Sequence, residues 1–398
     1  MNLLCPALLA LSLAAQAAPP SFEMVELNAN AGVVPAVALA DIDGDGDLDV
    51  VAMSNDDIAW HENPGWQRHV ITPRLKNLNV CMALADIDGD GLPEVAAGAD
   101  WQFENTLSGG SLHLLARNGD PRAPWQRVDL LEEPSLHRIR WADSNGDSKP
   151  ELYVAPLKGR GSSDPDFREA GVRLLRLAPP SSPLTEPWPV EVITQDFHVM
   201  HNLIPFRASN GRDALLTVSF EGIALVRQTD SDWDSRVISP GSPLPWPRSG
   251  ASEIKTGALA EGVPALATIE PWHGNIVAVY TPNKPGPIEE AGSWRRHVLD
   301  ESYNQGHAIA WADFDGDGRD ELVAGYREPS PRNDRVGLYC YTFEAFAPGG
   351  ELRFERHAVD DGGIATEDVA VGDLNGDGKP DILASGRSTH NIRIYLSR

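Results

Sequence analysis

The sequence predicts an all-β fold, a seven-bladed β-propeller closed by its N-terminal strand, and three observations predict it. An acidic loop recurs between paired apolar runs. An aromatic mark recurs between those pairs. The two marks are out of step by one strand at the chain ends. A length of 398 residues alone suggests two or three domains, but a repeat overrides that expectation. Hydrophobic residues at 41% supply a core, while Gly 36 and Pro 32 imply many turns. Lys+Arg 33 against Asp+Glu 58 leave a net charge of −25, which argues against a nucleic-acid partner because phosphate binding needs a basic surface.

At the N-terminus, an apolar run from Leu3 to Ala15 ends in Ala15-Gln16-Ala17, a small-x-small cleavage signal. Residues 1–17 therefore read as a secretory signal peptide and 18–398 as the propeller. The expected location is secreted or periplasmic, without a membrane span, since the run is well short of about 20 residues. Cys5 lies too early for a lipoprotein box. Cys81 and Cys340 remain, and two distant cysteines do not make a disulfide framework, so buried thiols are expected and pairing is left open.

The acidic loops come next. The first places Asp41, Asp43, Asp45, Asp47 and Asp49; the second Asp86, Asp88, Asp90 and Glu94; the third Asp143, Asn145, Asp147 and Glu151. Two more carry Asp313, Asp315, Asp317 and Glu321, then Asp373, Asn375, Asp377 and Asp381. Each follows an alternating run such as Ala308-Ile309-Ala310-Trp311-Ala312 and precedes another such as Leu322-Val323-Ala324. That period of two is a strand, so each unit is a hairpin. Between Asp143 and Asp313 two degenerate hairpins keep the pattern without the acids, over 201–219 and 252–269. The aromatic mark recurs at Trp66, Trp125, Trp188, Trp233, Trp294 and Phe354, with one copy at Phe22 before the first hairpin and none after the last. The mark is the outermost strand of each blade, and the Phe22 strand completes the last one, which removes open sheet edges.

Carboxylates at alternate positions with turn-permitting glycines wrap oxygen ligands around a hard cation. All five loops are therefore expected to bind structural Ca²⁺ through the side chains named, with the carbonyl of Asp47 as an additional ligand in the first. Flanking strands and a missing position-12 Glu disfavour an EF-hand. These loops resemble the FG-GAP and VCBS repeats of integrin α-subunit propellers and many secreted bacterial proteins, although the literal Phe-Gly and Gly-Ala-Pro dipeptides are absent. The stretch from Gly306 to Arg327 resembles blades in bacterial relatives of the aldos-2-ulose dehydratase propeller, which implies a carbohydrate substrate.

The rim opposite the loops carries the candidate chemistry. Six residues before each loop Asp or its equivalent stand Pro35, Val80, His137, His201, Ser252, His307 and Glu367. Four blades lack His there, so the repeat itself does not require it. Just past the second strands come Trp101, Lys158, Glu221, Glu270 with Trp272 and His273, Arg327 and Arg387. His137, His201, His307, Glu367, Arg327 and Arg387 are the candidate catalytic set; Trp101, Lys158, Glu270, Trp272 and His273 are candidate substrate contacts. His273 and His390 are expected in solvated outer loops of this face. Two mechanisms suit the set. His201, His307 and Glu367, with His137, hold Zn²⁺ or a similar divalent metal. Alternatively, a neutral His abstracts a proton α to a sugar carbonyl or uronate carboxylate while an Arg offsets the developing charge. Both fit a lyase or dehydratase. The competing reading is a non-catalytic module binding extracellular glycan or protein, so enzymatic activity stays open, as do substrate, partner and oligomeric state.

Overall fold

The computed structural model describes residues 19–344, 346 and 350–398. The predicted signal peptide lies outside them. Seven four-stranded antiparallel sheets form, each with strands in sequence order except the last. Blade 1 comprises Ala36–Ala40, Asp49–Met53, Asp57–Glu62 and Gln67–Pro73. Blades 2 to 7 begin with the innermost strands Cys81–Ala85, Leu136–Ala142, Asn202–Arg207, Glu253–Ala260, Gly306–Ala312 and Thr366–Gly372. In blade 7 the outermost place is taken by Phe22–Asn28, antiparallel to Ile392–Ser397, as the displaced aromatic mark predicts. The degenerate blades 4 and 5 are full sheets, and blade 5 turns through Glu261 and Gly262 where an acidic loop would stand.

Packing between blades holds the ring. Alternation gives each strand two faces, and each face packs on a neighbouring blade. Blades 1 and 2 share Trp60, Ile71, Val95 and Leu115, and blades 5 and 6 share Ile269, Trp311 and Tyr326. The seam of blades 7 and 1 joins Val50 to Leu383 and Ile394, so the chain ends close by core packing as well as by strand pairing. Small residues allow the close approach: a Cβ on Gly257 would lie 2.5 Å from the Trp311 ring. Burial of this apolar surface is the main driving force for the fold. Cys81 and Cys340 are free, buried thiols in different seams, too far apart in the ring to pair. Among the described residues no helix is long and apolar enough to cross a membrane.

Candidate active site at the histidine rim

Hairpin topology puts the starts of the innermost strands on the face opposite the acidic loops, and their side chains converge there. A cavity of about 370 Å³ opens on this face, lined among others by Trp101, Phe103, His137, Trp272, His273 and His307. Arg138, Arg327, Glu367 and Arg387 complete its polar wall. Phe103 stacks on Trp272 at 6.0 Å and meets Trp101 edge-on at 5.8 Å. Beneath these rings Phe167, Val199, Phe220 and Leu157 form an apolar plug with Trp246 against it. The indole N–H groups of Trp101 and Trp272 are buried without a hydrogen-bond partner among the described residues.

One rule fixes the imidazoles. His201 Nδ1 lies 3.0 Å from the carbonyl of Ser252, and His307 Nδ1 bonds the carbonyl of Glu367. Each acceptor is the rim residue of the next blade. A carbonyl only accepts, so Nδ1 carries the proton and Nε2 presents a lone pair. His137 Nδ1 approaches the His201 carbonyl at 3.2 Å, with Arg138 competing from 3.4 Å. His273 is set the other way. Arg327 Nη2, a donor, lies 3.0 Å from its Nδ1, so His273 donates from Nε2 to His201 Nε2 at 2.8 Å. The protons thus run in one direction, from Arg327 through His273 and His201 to the Ser252 carbonyl and the Glu253 carboxylate, 2.8 Å from His201 Nδ1.

Burial holds all four imidazoles well below the ordinary histidine range. The nearby Arg138 adds to this for His137 and His201, Arg327 for His307, and His201 followed by Arg327 for His273. They are neutral near pH 7, the form that accepts a proton or ligates a metal. Nitrogens of His201, His273 and His307 lie within 4.8 Å of one another. His201 itself is 0% exposed and sits behind His273, so it acts through that residue and does not face the cavity.

Several rim expectations are corrected. Glu367 does not join the imidazoles: Arg327 Nη1 at 3.2 Å and Arg387 Nη1 at 2.9 Å clamp its carboxylate, and His273 takes the place foreseen for it beside His201 and His307. His273 is not a solvated loop residue, because a left-handed backbone (φ 47°) turns it inward. Glu270 is 0% exposed, bound to Arg296 at 2.7 Å, Tyr280 and Thr268, and braces blade 5. Lys158 is buried between the Phe103 and Phe167 rings and donates to the Phe103 carbonyl at 2.7 Å, away from the cavity. Phe103, Arg138 and Gln305, which accepts from Arg327 at 2.9 Å, were not foreseen. Phe103 had a signal, standing two residues after Trp101 in the same loop; Arg138 and Gln305 had none.

The acidic loops share one geometry. The leading Asp accepts the N–H groups three and five residues on, as Asp41 does from Gly44 at 2.7 Å and Gly46 at 3.0 Å. Asp86, Asp143, Asp313 and Asp373 repeat this. Asp47 donates its N–H to Asp45. Carboxylate oxygens converge in Asp41, Asp43 and Asp45, in Asp86, Asp88 and Asp90, and in Asp313, Asp315 and Glu321. One buried oxygen of Asp43 has no hydrogen-bond partner among the described residues, and the other accepts from Arg122 at 3.0 Å. In the third and fifth loops Asn145 and Asn375 accept from Asp147 and Asp377. The closing residues differ by length. Asp49 and Asp381 spend both oxygens on backbone N–H groups, of Ile42 and Asn63 and of Leu374 and Ser397, and so brace the turn, with one lone pair on each oxygen left for the ligand role expected of them. Glu94 and Glu321 spend one oxygen on such a bond; the other oxygen of Glu321 converges with Asp313 and Asp315, and that of Glu94 stands 3.9 Å from Arg117. Glu151 gives that second oxygen to Arg176 and Asn145.

Known proteins agree with this architecture. Residues 41–97 match an FG-GAP-like repeat model and 365–389 an FG-GAP repeat model. The repeats in these two segments are similar to FG-GAP repeats. Residues 109–283 match the model described as aldos-2-ulose dehydratase, beta-propeller domain. Aldos-2-ulose dehydratase of Phanerodontia chrysosporium is 25% identical over 251 residues, 58% of this chain but only 27% of that protein. The chain thus spans about a quarter of the curated relative it matches. Among solved structures, BBS1N in complex with ARL6DN superposes with a TM-score of 0.55 at 12% identity, covering 94% of this chain and 95% of that one. The Cps50 (Swd1) β-propeller domain of Myceliophteria thermophila gives 0.51 at 11%, covering 94% and 98%. At that identity they speak to the fold alone.

Proposed function

We propose that this is a secreted, calcium-loaded propeller that binds a carbohydrate in the rim cavity and acts on it as a lyase or dehydratase. The observation that carries the reading is the convergence of neutral imidazoles with an Arg327–Glu367–Arg387 clamp under an aromatic wall. Aromatic faces stack on sugar rings, and the orphaned indole N–H groups of Trp101 and Trp272 suit hydroxyl acceptors. His307, whose Nδ1–H is fixed by Glu367, offers Nε2 to the cavity as the base that removes a proton α to a carbonyl. The Arg327 and Arg387 guanidinium groups, only part-neutralised by Glu367, offset the charge that develops on the carbonyl oxygen. The segment that matches the dehydratase propeller includes His137, His201, Trp272 and His273.

His201, His273 and His307 fit a divalent metal with one adjustment. His201 and His307 already point lone pairs inward, whereas His273 must turn its Nε2 proton over to Nδ1, which requires Arg327 to leave that atom. A metal so held would take up the His307 Nε2 lone pair, so in this alternative to the His307 base it would supply Lewis-acid polarisation of the substrate carbonyl. Five loop calcium ions would brace the opposite face, and the unpartnered Asp43 oxygen supports the first. The test is a panel of ketosugars and uronates on wild type, His307→Ala and His273→Ala, with metal analysis of the purified protein. Turnover lost in both variants with ligand binding kept supports the reading. Binding without turnover in wild type leaves a glycan-binding module instead.

A further inference from the structure

Below the rim cavity the central channel holds a second cavity of about 490 Å³, which shares Arg138 and His307 with the first. Three residues before each acidic loop the innermost strands point into it. On the four adjoining blades 6, 7, 1 and 2 these residues are Ala310, Ala370, Ala38 and Ala83, which leave the space; on blades 3 and 5 they are Arg140 and Lys255, which face it. Two carboxylates share the channel with them. Asp368 accepts the N–H groups of Val37 and Val369, both at 3.0 Å, while Glu253 is held by Asn202 and stands 2.8 Å from His201 Nδ1 and 3.5 Å from Arg138. Arg140 reaches only neutral oxygens, those of Ile139 at 2.7 Å and Asn202 at 3.2 Å. Among the described residues the Lys255 ammonium makes no hydrogen bond and no ion pair.

Three cations thus face two carboxylates inside the ring. Lys255 and Arg140 are part-buried on the channel, and an excess of cations beside open, partly desolvated volume favours an anion. We propose that the central channel is a binding site for one small anion, a carboxylate or inorganic oxyanion, held by Lys255 and Arg140 with the four alanines making room. Burial, followed by neighbouring guanidinium charge, holds both basic groups below their ordinary ranges, the strain that such an anion relieves. The site adjoins the rim cavity through Arg138 and His307, and its test needs no turnover.

The experiment is thermal melting of the full chain in anion-poor buffer, wild type beside Lys255→Met and Arg140→Met, with sodium acetate, phosphate or glucuronate added at matched ionic strength. Without added anion, Lys255→Met should melt above wild type, because it removes a repelled charge and keeps the volume. At about 10 mM anion, wild type should gain about 3 °C that neither variant gains. A response to acetate or phosphate assigns a free ion, and one confined to glucuronate assigns the carboxylate of a sugar reaching down from the rim. Parallel melting of wild type and variants in every salt overturns the site. Should both variants fail to fold, a bromide-soaked crystal of wild type decides: an anomalous peak beside Lys255 supports the site, and an empty channel overturns it.

Discussion

Single residues decide the rim. One imidazole per blade is unremarkable, yet the same main-chain rule that ties His201 and His307 to the next blade's carbonyl turns their Nε2 atoms inward. Backbone conformation does related work at Ser148, which adopts φ 66° where the four other loops have glycine. Relief of that left-handed strain should make Ser148→Gly more stable by about 0.5–1 kcal/mol, read as a higher denaturant midpoint in EDTA. A midpoint equal to or below wild type would show that Ser148 makes up its strain in hydrogen bonds. His61 offers a pH test away from both sites. Burial pushes it down to about 4, and its Nδ1 has no partner among the described residues. The unfolded chain binds that proton near pH 6.5 and the folded chain does not, so stability is full above pH 6.5 and is lost as pH falls toward 4. The slope should reach about 1.4 kcal/mol per pH unit from this group. His61→Phe should flatten the unfolding free energy against pH by about one proton over that window, and an unchanged slope would place the titration elsewhere.

At the scale of the element, each acidic loop joins two tasks that sequence spacing does not separate. The leading and closing acids build the turn, and those between them aim into it. Asp49→Ala should therefore lower stability by about 3 kcal/mol with or without calcium, since it orphans the N–H groups of Ile42 and Asn63. Asp43→Ala should change the EDTA melt little and remove one calcium from the stoichiometry; calorimetric titration of the two variants distinguishes them. Equal calcium counts in Asp43→Ala and wild type would exclude the first loop as a site. The hairpins and the loops were legible because alternation and carboxylate spacing are local. How each closing residue divides its oxygens was not, because it turns on what each side chain reaches: Asp49 spends both on backbone N–H groups where Glu321 spends one. The rim was half legible for the same reason. The repeat position located His137, His201 and His307, but Glu270 and Lys158 share a sequence position with Arg327 and differ in what packs over them, Tyr280 and Arg296 for the one and two phenylalanines for the other.

For the whole molecule, closure links the two faces. The ring is joined where Phe22–Asn28 pairs with Ile392–Ser397, where Arg393 meets Glu26 at 2.7 Å, and where Phe22 packs edge-on against Phe314 of blade 6 at 5.4 Å. That last contact matters because Phe314 stands inside the fourth acidic loop, between Asp313 and Asp315, and its N–H is bonded by Glu321 at 2.9 Å. The closing strand thus braces a loop of the neighbouring blade as well as its own sheet. Removing residues 19–28 should expose the Ile392–Ser397 edge and leave Val25 and Leu27 missing from the seam of blades 7 and 1. The expected result is a melting temperature lower by on the order of 10 °C together with self-association by size exclusion. A synthetic peptide of residues 19–30 added in trans should restore both. If closure also organises the blade 6 loop, calcium should stabilise the truncated chain less than the intact one, and the peptide should return the difference. A truncated chain that melts like the intact protein and stays monomeric would mean that the blade seams alone hold the ring.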